Sequence, residues 1–153
     1  FLQALEADFD IKKMGFWKKR SDRKHGVYQP GRKNEIAMCL DGHWYQLLAK
    51  PHIIKEDAVG CLDVTLLQEN VLEPILGIQD PRTDKRIDFV GGIRGMGELE
   101  KRCKTDMKVA FALYATSMDE VIRITDEGKV MPPKSTWFEP KLQSGLFLHR
   151  IEK

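Results

Sequence analysis

Seven residues, "GGIRGMG" at positions 91–97, have the arrangement best suited to chemistry. They follow a strand-like run and open a helix-like one. Gly91, Gly92 and Gly95 would let backbone N–H groups crowd around an anion at the positive end of the helix, with Arg94 adding charge. The spacing matches neither G-x-x-x-x-G-K-S/T nor a complete G-x-G-x-x-G, so a purely structural turn is the stronger reading. A second dense stretch, "MPPKSTWFEPKLQSGLFLHR" at 131–150, brings Lys134, Thr136 and Lys141 as further anion-binding candidates. Ser135 beside Lys134 suggests a lysine-activated nucleophile, but adjacent residues of a strand face opposite ways. Lys134 would share a face with Thr136, and the two would form a rim against the glycine loop. The four histidines (His25, His43, His52, His149) lack metal-ligand spacing, and no metal site is expected. Cys39, Cys61 and Cys103 are odd in number, scattered and outside any C-x-x-C, as expected of reduced thiols in a cytoplasmic protein.

The elements that must position these groups read as follows. A short helix (1–8) leads into a strand at Phe9–Met14. "EIAMCLDGHWYQLLAK" is two strands around an Asp41-Gly42 type I′ turn, and that register sets Met38 against Tyr45, Cys39 against Trp44 and Ile36 against Leu47. A helix capped by Asp63 carries Leu66, Leu67, Val71 and Leu72 until Pro74 and Gly77 end it. Strands are expected at Ile87–Val90 and at 107–115, where Ala110 and Ala112 leave room for a closely packed helix. Ser117 and Glu120 form a capping box for a helix that stops at Gly128. Two more strands, Ser135–Phe138 and Leu146–Ile151, close the chain. The class is α+β: a single mixed β-sheet, a β-hairpin in the N-terminal half, and helices mainly on one face.

At 153 residues, 42% hydrophobic and 31% charged, the chain fits a single soluble domain (1–153) with one core, and no apolar run can span a bilayer. Leu2, Leu5 and Phe9 start on a helix face already under way, so the chain reads as part of a longer protein. The net charge of +2 is unevenly placed: Lys12 to Lys33 hold nine Lys or Arg and one acid, a net of +8. With Phe16, Trp17 and Tyr28 interleaved, this basic loop is a candidate nucleic-acid contact; a solvated connection is the plainer reading.

"LDVTLLQENVLEPILGI", "IDFVGGIRGMGELE", "LDGHWYQLLAK" and above all "MPPKSTWFEPK" followed by Ser144-Gly145 resemble the C-terminal part of the bacterial family called domain of unknown function 1015. The likeness covers nearly the whole chain. It implies a longer N-terminal part resembling ParB and sulfiredoxin-like proteins, whose Ala-Asp-Gly-His-His-Arg signature is absent here. It further implies a phosphate-containing ligand such as a nucleotide for the full-length protein, and no cofactor for this part alone. The expected function is a non-catalytic C-terminal module that packs against its own ParB-like N-terminal domain and helps wall the ligand pocket. The alternative is that Arg94, Lys134 and Lys141 supply phosphate-binding groups to a nucleotide-dependent phosphotransferase. Nucleic-acid binding through residues 12–33 ranks third.

Overall fold

A computed structural model of the chain describes residues 1–16 and 28–136. In it four strands, β1 (Phe9–Phe16), β2 (Glu35–Leu40), β3 (His43–Ala49) and β4 (Val109–Leu113), form one sheet in the order β1-β3-β2-β4. The helices are α1 (Leu2–Leu5), α2 (Asp63–Leu67), α3 (Met96–Thr105) and α4 (Met118–Asp126). The fold is α+β.

The β2–β3 hairpin forms because its turn residues accept left-handed backbone: φ is 46° at Asp41 and 78° at Gly42, as a type I′ turn requires. Its register pairs Met38 with Tyr45, Cys39 with Trp44 and Ile36 with Leu47, as the alternation predicts. β1 extends two residues past Met14, beyond a register shift between Lys13 and Gly15, and lines the other edge of β3.

All three pairings are antiparallel, so the expected mixed sheet is not what forms among the described residues. The expected strand at Ile87–Val90 does not form, and that segment is irregular. Side chains hold it instead: Arg86 donates to the carbonyls of Leu76 (3.1 Å) and Gly77 (2.8 Å), and Asp88 accepts from Arg102 of α3 at 2.7 Å. Phe89 is left exposed there.

β2 is buried on both faces, and the two faces meet different helices. Ile36, Met38 and Leu47 pack with Leu5, Phe9, Leu66, Leu67, Val71 and Leu72. On the opposite face Ala37, Cys39 and Trp44 meet Met96, Leu99 and Cys103 of α3, across the small Ala110 and Ala112. Helices therefore cover both faces, where they were expected mainly on one. The reason is that β2 and β4 alternate large with small apolar residues and leave no polar face to solvate. Trp44 fixes α3 further by donating its indole N–H to Glu100 at 2.8 Å.

After Leu67 the helix widens into a π-turn over Gln68–Leu72. Pro74 has no N–H to give, and the Asn70 side chain occupies the Leu66 carbonyl at 2.9 Å, so the ordinary ladder cannot continue. Gly77, at φ 66°, then ends the segment. α4 begins with the complete Ser117–Glu120 capping box. Its Ile124 is buried against Ala58 and Leu62, with Met131 packed alongside. Ser135 and Thr136 belong to no strand, since Lys134 turns the chain with φ 59°. The rest of that expected strand, the strand Leu146–Ile151 and Lys141 lie outside the described residues, as do residues 17–27 of the basic loop.

Candidate functional site

Of the expected anion-site residues, Gly91, Gly92, Arg94 and Gly95 lie just before α3, Lys134 and Thr136 lie in the segment after α4, and Lys141 lies outside the described residues. Gly92–Arg94 form a short 3-10 turn before α3, and Gly95 follows with φ 68°. Two amides that would have formed an anion nest are already used: Arg94 N donates to Gly91 O (3.0 Å) and Gly95 N to Gly92 O (2.9 Å). Arg94 is exposed, as are Lys134 and Thr136. Among the described residues, no hydrogen bond or ion pair joins Lys134 or Thr136 to the glycine loop. The 131–136 segment is held elsewhere, by Met131 in the Ala58–Leu62–Ile124 cluster and by Thr116 Oγ1 donating to Ser135 O at 3.2 Å. Ser135 turns its hydroxyl onto Pro132 O, so the Ser–Lys nucleophile has no support.

A different group of polar residues converges where the lead-in to β2, the start of α2, the end of β4 and the start of α4 meet. Lys33, Leu62, Asp63, Tyr114, Ala115, Thr116 and Glu120 line a cleft of about 10 Å³, which admits about one water molecule. Asp63 lies at its base, only 8% exposed. It was expected to cap its own helix, but the cap position is Leu62 and makes no side-chain hydrogen bond. The Asp63 carboxylate instead accepts the Asn34 amide at 2.9 Å and a backbone hydrogen bond from Tyr114. Asn34, at φ 65°, has the left-handed backbone that turns its N–H toward this carboxylate.

Lys33 forms an ion pair with Glu120 and reaches Cys61 Sγ at 3.5 Å. Glu120 also accepts from Ser117 N at 2.8 Å, so one carboxylate serves both the ion pair and the helix cap. Burial pushes the Asp63 carboxyl up to about 6, against the Asn34 amide and the charge of Lys33. For Lys33, burial acts downward but Glu120 carries the ammonium above its ordinary value. Glu120 is likewise penalised by burial, and Lys33 holds it below the usual range. Above pH 6 the group Asp63, Lys33 and Glu120 bears one net negative charge.

A carboxylic acid poised near pH 6 beside a lysine is the composition of an acid–base site. The geometry limits its use: two backbone amides engage the Asp63 carboxylate, and the cleft has no room for a substrate group larger than water. What the arrangement does is fasten three separate stretches of chain, at 33–34, 61–63 and 114–120, at one point. No spacing in the sequence links Lys33, Asp63, Thr116 and Glu120, although Asp63 and Glu120 each stand out locally as helix-start residues. Among the described residues no cluster of His, Cys, Asp or Glu could hold a metal ion, and no helix is long and apolar enough to cross a membrane. No protein-family model, curated protein or solved structure matches the chain.

Proposed function

We propose that this chain is a non-catalytic module of a longer cytoplasmic protein, seated against a ParB-like N-terminal part and walling part of that part's ligand pocket. The observation that carries this reading is apolar surface among the described residues. Ile93, Met118, Ile122 and Val130 are 72%, 62%, 51% and 84% exposed, and Met118 and Ile122 stand one turn apart on α4. Apolar side chains displayed this openly are suited to an interface with another body. The polar cleft, by contrast, is tied up in its own ion pair and hydrogen bonds and holds about one water.

The test compares this chain with a longer protein that contains it, measuring melting temperature with and without ATP and magnesium. A ligand that binds only the folded state must stabilise it. The expected result is protection of the longer protein, none of this chain alone, and nucleotide affinity within about twofold of wild type in Arg94→Ala and Lys134→Ala variants of the longer protein. Protection of this chain alone, or a tenfold or greater loss of affinity in those variants, on the order of 1.4 kcal/mol, would favour the phosphotransferase reading instead. In addition, Ile122→Asp should loosen the longer protein's domain packing, read as faster proteolysis between the two parts, while the isolated chain melts as before.

A further inference from the structure

Two of the three cysteines meet across the interface between α3 and the sheet. Cys39, on β2, is fully buried on the face covered by α3. Cys103, in the last turn of α3, packs onto that face and brings its sulfur to 3.7 Å from the Cys39 carbonyl oxygen. They are 64 residues apart in sequence. The closeness has a structural cause: Ala37 beside Cys39 and Ala110 and Ala112 of β4 remove bulk beneath the helix, so helix and strand backbones approach. A disulfide requires Cα atoms roughly 4.4–6.8 Å apart, and a helix packed this closely on a strand is the setting in which that separation can be met. Cys61 sits away from this pair, at the lead-in to α2 with Lys33 at its sulfur.

We propose that Cys39 and Cys103 form a redox-active dithiol, a site that a hydroperoxide converts to a disulfide clamping α3 onto β2. The two thiols are unequal in a way that assigns their parts. Cys103 is half-buried and open to the oxidant, whereas Cys39 is fully buried and shielded from it. The Cys39 side chain hydrogen-bonded to Cys103 holds the Cys103 thiol below its ordinary range, against burial and the charges of Asp106 and Glu100. In the first step the Cys103 thiolate attacks the peroxide; an S–O bond forms, the O–O bond breaks, and an alcohol or water leaves with a sulfenic acid on Cys103. In the second, the Cys39 sulfur attacks the Cys103 sulfur, the S–O bond breaks and water leaves. Two thiols lose two electrons and two protons, and one hydroperoxide is reduced.

The experiment treats the reduced chain with excess hydrogen peroxide, then alkylates it under denaturing, non-reducing conditions and maps its peptides by mass spectrometry. The expected product has lost the mass of two hydrogen atoms, contains a peptide joining Cys39 to Cys103 and keeps Cys61 alkylatable. Its melting temperature should rise by on the order of 10 °C, since the bridge closes a long loop. Cys39→Ser should instead accumulate a sulfenic acid at Cys103 that dimedone traps, and Cys103→Ser should leave Cys39 reduced. Because Cys39 is a core residue and its variant can fail to fold, the wild-type peptide map decides by itself. All three thiols surviving peroxide, a bridge that includes Cys61, or a sulfinic acid at Cys103 with Cys39 still alkylatable would each overturn the proposal.

Discussion

Replacing Asp63 with Asn tests the polar joint directly, because the buried carboxyl links folding to pH. Its folded-state value, about 6, lies above the ordinary 3.8. Such a group contributes stability that is fully present below pH 3.8 and lost as pH rises through 6, since the native state keeps a proton that the unfolded chain has released. The full shift corresponds to at most about 3 kcal/mol, and the part falling between pH 5 and pH 8 to about 1.4 kcal/mol. Screening at a cleft that opens to water reduces the latter to about 1 kcal/mol. Urea unfolding of wild type and Asp63→Asn at pH 5, 6, 7 and 8 gives the difference between them at each pH and removes titrations common to both. The variant should gain about 1 kcal/mol on wild type over this range. Its absolute stability need not rise, because the Asn side chain has one acceptor oxygen where two backbone amides seek partners, and an unpaired amide costs about 1–3 kcal/mol. A difference that stays flat from pH 5 to pH 8, or that moves in favour of wild type as pH rises, would refute the reasoning.

Leu66→Ala, at a fully buried position facing β2, should cost about 2–5 kcal/mol by the same urea titration. Ser117→Ala should cost about 1 kcal/mol by removing a capping box, with amide exchange accelerating first in the opening turn of α4. Gly42→Val should lower the melting temperature by several degrees, a β-branched residue being badly strained at φ 78°, whereas Gly31→Ala, with room around it, should change little.

The hairpin was legible because Asp-Gly between two alternating runs leaves few other options, and turn, register and facing pairs follow from those sixteen residues. The capping box and the Gly77 stop were legible for the same reason: each rests on neighbours a few positions apart. Ile87–Val90 misled because its composition suits a strand, while its fate is set by Arg86 and Asp88, whose partners lie on a preceding helix end and on α3. Helices on both faces were half visible in Ala110 and Ala112, which fit the close approach of α3. The joint at Asp63 was invisible in a stronger sense. Its corners come from three distant stretches of chain, and only the folded chain makes Lys33 a neighbour of Glu120.

The sheet order has a consequence for the sequence of events in folding. β2 and β3 meet across a two-residue turn, so their contact requires almost no loop closure, whereas β4 reaches β2 only after α2, the π-turn and α3 have been threaded between them. Closing the longer loop costs chain entropy that its contacts do not return until it is shut. The hairpin, helped by β1, is therefore the part expected in the transition state, with α3 and β4 docking afterwards. Gly42→Ala should then slow refolding, while Leu99→Ala should leave refolding nearly unchanged and speed unfolding, a contrast that the two arms of a chevron plot separate.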